Sequence, residues 1–226
     1  MSIFRTHSST PPVVMNLLIA NAVVFLAQML FEAPMWENFA LYNVDLRCLD
    51  ANCTLFNIWQ PFTYMFMHGG FTHLFFNMFS LWMFGRMLEY ELGWKRFLVY
   101  YLVCGVGAAL FQMGVAQIDL SNMPVWSQEW AYYMGTPTVG ASGAIFGLLL
   151  AFGMLHPNAI ISLIFPPISM KAKWFVIIYG ALELLLGVSG TMSGVAHFAH
   201  LGGMFWGWLL LLLWRHIDRR RRNYYF

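Results

Sequence analysis

The chain has 226 residues, of which 60% are hydrophobic, 18% are aromatic and only 10% are charged, with a net charge of +2. A soluble domain could not cover so much apolar surface, and the mean hydropathy of +0.62 indicates an integral membrane protein. The three cysteines lack the paired CxxC spacing of a zinc site.

Six apolar segments are predicted to cross the membrane within one domain, residues 13–214. The first segment has the length of a signal peptide. It lacks a strongly basic start and a clear cleavage site, so we predict a retained helix. A short head precedes it (1–12), and a basic tail ends the chain (215–226). The expected fold is an all-α bundle of six transmembrane helices, at about residues 13–31, 71–85, 97–116, 139–155, 174–188 and 194–214.

Two connections between these segments have distinctive compositions. The first loop, residues 32–70, carries many aromatic residues among polar ones, which is typical of a structured loop at the membrane interface. The connection 158–173 contains Pro166 and Pro167 followed by two lysines, which predicts a turn on a membrane face.

The distribution of the basic residues predicts the orientation of the chain in the membrane. With six spans, eleven of the twelve lysines and arginines fall on one face and only Arg47 falls on the other. Positive residues favour the cytoplasmic side, so both termini are expected there. Ser142 and His200 then begin helices near the extracytoplasmic face. The eleven are Arg5, Arg86, Lys95, Arg96, Lys171, Lys173, Arg215 and Arg219 to Arg222.

The fourth segment opens with a serine between small residues, Gly140-Ala141-Ser142-Gly143. Taken alone, this pattern favours an ordinary helix entry or the small-residue packing of transmembrane helices. His200 changes that interpretation, because it lies at a compatible depth in a second small-residue helix. A neutral imidazole can take the proton of a serine hydroxyl and so make it a nucleophile. We therefore predict a catalytic pair of Ser142 and His200.

Glycines at matching positions support this pair. Gly143 and Gly147 in one helix, and Gly203 and Gly207 in the other, are four residues apart, a spacing that lets helices pack closely. Phe146, one turn after Ser142, is expected to hold the imidazole of His200 by stacking.

A tetrahedral intermediate also needs hydrogen-bond donors for its oxyanion. His73 and Asn77 are four residues apart on one helix face, and both are costly to bury without partners. Together with the backbone N–H of Ser142, they are the predicted oxyanion donors. A metal site of His68, His73 and His200 is the less favoured alternative, because no HExxH motif accompanies these residues. His68 and His197 are expected to make structural hydrogen bonds.

Four motifs in this order resemble the rhomboid family of intramembrane serine proteases, and the resemblance covers essentially the whole membrane domain. It implies a Ser142–His200 dyad without an acidic third member, oxyanion assistance from His73 and Asn77, and cleavage of transmembrane or membrane-adjacent segments of other proteins. It implies no metal, ATP or other cofactor, and we expect no nucleic-acid partner. The motifs are His68-Gly-Gly-Phe-Thr-His73-Leu-Phe-Phe-Asn77, Gly85-Arg-Met-Leu-Glu89, Gly140-Ala-Ser142-Gly143 and Ala199-His200-Leu-Gly-Gly203.

The same resemblance bears on other polar residues. Glu89 resembles a structural carboxylate of the family that is hydrogen-bonded to the loop. Many rhomboids carry Trp-Arg where this chain has Trp59-Gln60, so the bracing role of that arginine is either unfilled or taken over. Glu183 has no role in the resemblance; a packed, protonated acid is favoured over a part of a lateral gate.

Two other functional classes compete with a protease. A non-catalytic rhomboid-like protein that binds transmembrane helices would be expected to lack the serine or the histidine, and both are present. A small transporter would be expected to show broken helices in repeated halves, which the sequence does not show.

Two cysteines lie close together in the first loop. A Cys48–Cys53 disulfide is favoured over two free thiols, whereas Cys104 is expected to be buried in the third helix.

Overall fold

The computed structural model describes residues 9–48, 53–163, 167–189 and 196–223, with side chains through residue 219. The predictions for Arg5, Pro166, residues 194–195 and the side chains of Arg220 to Arg222 lie outside this part of the chain. The elements in chain order are α1 (Pro12–Leu30), α2 (Glu32–Phe39), α3 (Gln60–Thr63), a 3₁₀ turn (Tyr64–Phe66), α4 (Phe71–Ser80), a π-helical turn (Leu81–Gly85), α5 (Arg86–Leu92), α6 (Trp94–Ser121), α7 (Gln128–Gly135), α8 (Ser142–Leu155), β1 (Ile160–Ser162), β2 (Ser169–Lys171), α9 (Ala172–Ser189) and α10 (His197–Asn223).

The apolar segments of the sequence form helices of membrane-spanning length. Within the described residues, α1, α6, α9 and α10 are long and apolar enough to cross a bilayer. The fifth apolar helix, α8, is shorter, with 14 residues. These helices agree with the integral membrane protein that the composition indicates.

Several helices extend beyond their predicted ends. The segment from Phe71 continues through the π-helical turn to Leu92, α6 continues to Ser121, and α10 continues through the arginines to Asn223. Hydropathy marks the part of a helix that suits lipid, whereas the backbone hydrogen bonds continue into its polar ends. At the polar end of α10, Asp218 accepts two hydrogen bonds from Arg96 at 2.9 and 2.7 Å.

The centre of the molecule is formed by α6, α8 and α10, which pack against one another. The contact between α8 and α10 requires glycine, because a Cβ placed on Gly203 would lie 1.8 Å from the carbonyl oxygen of Gly143. A Cβ on Gly147 would lie 3.1 Å from the carbonyl oxygen of Gly203. The predicted close approach through these three glycines is confirmed. Gly207 instead faces Tyr100 of α6.

Contacts between connections define two opposite ends of the bundle, which α6 joins. At the end where α6 begins, Arg96 pairs with Asp218, and His156 lies 2.7 Å from Glu91. At the end where α6 finishes, Gln117 accepts a hydrogen bond from the N–H of Leu46 at 2.9 Å. Leu41 also pairs with Thr138 there, so the first loop covers the start of α8.

The connection before α9 contains a short hairpin rather than a simple turn. β1 and β2 pair antiparallel, with Ile161 opposite Met170. This pair is a small departure from the expected all-α fold. Its edge side chains Ser162 and Ser169 join through hydroxyl groups 2.7 Å apart.

The first loop is braced by polar side chains. Gln60 is fully buried; its Oε1 accepts from the N–H of Tyr42 at 3.2 Å, and its Nε2 donates to the carbonyl of Leu55 at 2.9 Å. Trp59 donates from its indole to the carbonyl of Asn38 at 2.7 Å. Gln60 therefore braces the loop at the position where many rhomboids carry arginine.

A buried carboxylate joins the same loop to α7. Asp45 accepts hydrogen bonds from the Arg47 guanidinium and, at 2.8 Å, from the indole of Trp130. The hydrogen bonds from Arg47 hold the pKa of Asp45 well below its usual 3.8. Close by, Cys48 and Cys53 form a disulfide with their Cα atoms 5.9 Å apart, which agrees with the favoured prediction.

Candidate active site

Ser142 is the first residue of α8 and lies two residues after a glycine with an unusual backbone conformation. Gly140 has a φ of +125°, which side-chain-bearing residues rarely adopt, and its N–H donates to the carbonyl of Tyr64 at 2.9 Å. The chain therefore turns sharply before α8. Because the first N–H groups of a helix have no intrahelical acceptor, the backbone at Ser142 is suited to bind negative charge.

His200 lies in the first turn of α10 and faces the serine. Its Nε2 is 2.8 Å from the Oγ of Ser142, a hydrogen-bonding distance. Phe146 lies against the imidazole, with ring centroids 4.1 Å apart and planes 5° from parallel. The structure thus brings together Ser142, His200 and Phe146, as the sequence predicts, while their roles in catalysis stay predictions.

Glu183 reaches the same site from α9, which the sequence analysis did not predict. Its Oε2 is 2.9 Å from the Nδ1 of His200 and 2.7 Å from the Nδ1 of His197. All three side chains are buried. The sequence contained a signal, because Glu183 is the only acidic residue in α9 and the two histidines are three residues apart on one face of α10.

These three side chains also offer the ligand atoms that a metal ion would need, all within 4.8 Å of one another. The hydrogen bonds to Glu183 account for the same atoms without an ion. The metal site that the sequence offers as an alternative is a different set, His200 with His73 and His68. Of these, the rings of His68 and His73 contact each other edge to face, with centroids 5.1 Å apart.

The imidazole of His73 lies near Ser142, and its Nε2 atom is on the side towards the serine. The N–H of Gly69 donates to Nδ1 of His73 at 3.2 Å, so a neutral ring carries its proton on Nε2. A Cβ on Gly140 would lie 2.9 Å from that Nε2 and 3.7 Å from the Oγ of Ser142. A donor on His73 therefore faces the space next to Ser142.

Asn77 is on the same helix and is buried. Its side-chain amide donates to the carbonyl of His73 at 2.9 Å. That bond uses one of the two amide protons. Among the hydrogen bonds of the described residues, none joins Asn77 directly to Ser142.

His68 and Glu89 lie outside this centre. The backbone of His68 is held by Gln28, whose Oε1 accepts at 2.9 Å and whose Nε2 donates at 3.1 Å. Glu89 accepts from the N–H groups of Val13 and Val14 at 3.0 and 2.8 Å. The expectation that Glu89 bonds to the loop is wrong: the carboxylate caps the start of α1, where N–H groups lack helical partners.

Comparison with known proteins agrees with this architecture. The Rhomboid domain family matches residues 55–216. Rhomboid protease AarA of Providencia stuartii is 28% identical over 213 residues, which cover 92% of this chain and 74% of that protein. YdcA of Bacillus subtilis (strain 168), also named as a rhomboid, is 29% identical over 223 residues, covering 98% of this chain and 96% of its own length. RHOMBOID-like protein 4 of Arabidopsis thaliana is 33% identical over 152 residues, 67% of this chain and 33% of that protein. The chain is an integral membrane protein that belongs to the rhomboid family.

Proposed function

We propose that the chain is an intramembrane serine endopeptidase that uses Ser142 as nucleophile and His200 as general base. The observation that carries the proposal is the 2.8 Å distance between the Oγ of Ser142 and the Nε2 of His200. A nucleophile and a base within hydrogen-bonding distance are the minimum that acyl transfer requires. The relative named as a rhomboid protease supports the same reaction.

The proposed reaction uses these two atoms in both of its halves. The Oγ of Ser142 attacks the scissile carbonyl while the Nε2 of His200 takes the hydroxyl proton. His200 then gives that proton to the leaving amine, and an acyl-enzyme remains on Ser142. Water attacks the acyl group in the second half of the reaction, again with His200 as base, and releases the free serine.

Three donors are proposed for the oxyanion of each tetrahedral intermediate. The backbone N–H of Ser142 is available at the helix start, and the Nε2–H of His73 faces the same space. The remaining amide proton of Asn77 is the third donor. Gly140, Gly143 and Gly203 support the site because larger residues would collide with His73, Ala108 or the backbone of α8.

The length of α8 supports a site inside the membrane. Its 14 residues span about 21 Å, less than the hydrocarbon core of about 30 Å. We propose that α8 and the continuous helical segment 71–92 complete a six-helix bundle with the four longer helices. The distribution of the basic residues supports a cytoplasmic position for both termini and a position of Ser142 near the extracytoplasmic face. Substrates are transmembrane or membrane-adjacent segments of other proteins.

A fluorophosphonate probe tests this proposal, because it reacts with an activated serine. We expect the purified wild-type protein to be labelled at Ser142, and the Ser142→Ala and His200→Ala variants to remain unlabelled. Ser121→Ala is the matched control, because Ser121 lies at the end of α6 and donates only to the carbonyl of Ile118 among its described contacts. Unlabelled wild-type protein that still binds transmembrane peptides would favour the non-catalytic alternative.

A further inference from the structure

We propose that Glu183 is a positioning residue for His200, which accepts its Nδ1–H and so keeps Nε2 unprotonated towards Ser142. This inference rests on the proposed function and deepens it, because the resemblance to rhomboids implies a dyad without an acidic member. The contact that carries it is the 2.9 Å distance between Oε2 of Glu183 and Nδ1 of His200.

The surroundings of Glu183 favour a carboxylate rather than the packed, protonated acid that the sequence suggests. One oxygen, Oε2, lies within hydrogen-bonding distance of two imidazole nitrogens, on His197 and His200. A carboxylate oxygen can accept from both, whereas a protonated oxygen has a single proton to donate. A buried charge needs such partners to offset the loss of water.

The contact selects between the two neutral forms of His200. With the proton on Nδ1, Nε2 has a lone pair directed at the Oγ of Ser142, 2.8 Å away, and can act as a base. With the proton on Nε2, no lone pair faces the serine. Because Glu183 stabilises the first form, it keeps His200 ready to take the proton.

The same carboxylate acts again when the proton moves. His200 becomes positively charged when Nε2 accepts the hydroxyl proton, and the negative charge beside Nδ1 stabilises that state. The proton of Nδ1 stays on the imidazole throughout. His197 donates to the same Oε2 and so orients the carboxylate, while Phe146 fixes the plane of the His200 ring.

Substitutions at Glu183 separate charge from packing. Glu183→Gln keeps the size of the side chain but removes the charge, and its amide nitrogen can face Nδ1. We expect kcat to fall at least about 100-fold with KM nearly unchanged, because the base is lost and substrate contacts are not. Glu183→Asp keeps the charge and is expected to retain more activity than Glu183→Gln. If Glu183 only fills space, Glu183→Gln should retain more activity than Glu183→Asp.

A spectroscopic readout tests the protonated nitrogen directly. In protein labelled with ¹⁵N-histidine, we expect His200 to show a protonated Nδ1 and an unprotonated Nε2, and Glu183→Gln to lose this preference. Glu91→Gln is the matched control, because Glu91 forms a similar pair with His156, 2.7 Å away, at the other end of the bundle. It is expected to leave kcat and the His200 signals unchanged.

The outcomes distinguish the two proposals. Wild-type kcat and unchanged His200 signals in Glu183→Gln, while Ser142→Ala is inactive, would overturn the role of Glu183 alone. Retained activity in Ser142→Ala would overturn the proposed function. Loss of activity on adding a chelator, with recovery on adding Zn²⁺, would show that activity needs a metal, for which these three side chains offer the ligand atoms, and would overturn the positioning role.

Discussion

At the scale of single residues, His200 is held on three sides by neighbours from two helices, α8 and α9. Phe146 of α8 covers one face of its ring, Glu183 of α9 contacts Nδ1, and Ser142 contacts Nε2. Such contacts restrict both the rotation and the protonation of the imidazole. Preorganised groups of this kind lower the barrier because they need little rearrangement in the transition state.

The oxyanion role of Asn77 gives a prediction at this scale. Asn77→Ala should lower kcat, because loss of one oxyanion donor costs about 2.7–4 kcal/mol, or about 10²–10³-fold. Fluorophosphonate labelling of Ser142 should remain. Asn38→Ala is the control, because Asn38 makes the same bond to the carbonyl four residues earlier, at 2.8 Å, but in exposed α2. A change in KM alone for Asn77→Ala would contradict the assignment.

The residues that lie in sequence motifs can be predicted from the sequence. The position of Glu183 at the site cannot, because it depends on which face of α9 points towards α10. Ser142, His200 and Phe146 follow from spacing within two helices. Glu183 is on a third helix, and a sequence does not show which way an apolar helix with one acid is turned. The contact of Glu183 with Nδ1 of His200 depends on how α9 packs against α10.

At the scale of elements, the contact of α8 with α10 determines whether the site forms. Gly203→Ala should destabilise the protein by about 1–3 kcal/mol, because its Cβ would lie 1.8 Å from the Gly143 carbonyl oxygen and the helices would have to separate. Activity should fall with it, since Ser142 and His200 move apart. Thermal unfolding in detergent measures the loss.

Gly114→Ala is the matched control for that variant. Gly114 is also in a transmembrane helix, α6, and a Cβ there would meet nothing within 4 Å. This variant should be neutral or should stabilise the protein by about 0.5–1 kcal/mol, because alanine has a higher helix propensity than glycine. Equal destabilisation by the two variants would mean that the close contact of α8 and α10 is not the cause.

The stability contributed by the contact between the first loop and α7 should depend on pH. Because the pKa of Asp45 in the folded protein lies below its usual 3.8, the carboxylate stabilises the fold above that pH, and this contribution is lost as the pH falls further. We expect Asp45→Asn to be less stable than wild type at pH 6, with a smaller difference at pH 3.5. Unfolding temperatures at the two pH values test this.

Glu32→Gln is the control for net charge, because Glu32 is an exposed carboxylate at the start of α2. An equal loss of stability for wild type and Asp45→Asn between pH 6 and pH 3.5 would contradict the proposed contribution of Asp45.

Element boundaries were less predictable than element identities. The predicted end at residue 85 missed α5, whose Glu89 caps the start of α1 in a contact that no local pattern reveals. The hairpin of β1 and β2 was also missed, because three-residue strands leave too short a pattern to recognise.

At the scale of the whole molecule, the two ends of the bundle differ in their charge. The end with Arg96 and Asp218 also holds Lys95 at the start of α6 and Arg215 towards the end of α10, whereas the end with the first loop and α7 carries the candidate site. A reporter enzyme active only outside the cytoplasm should be silent after Phe226 and active when inserted at residues 122–127, between α6 and α7. The reverse pattern would overturn the orientation.

The most direct test of the central claim is proteolysis in liposomes. Wild-type protein should cleave members of a library of single-span membrane proteins, with new termini in or beside the span identified by mass spectrometry. Folded Ser142→Ala and His200→Ala should yield none of these products. Formation of the same products by Ser142→Ala at the wild-type rate would contradict a serine protease centred on Ser142 and His200.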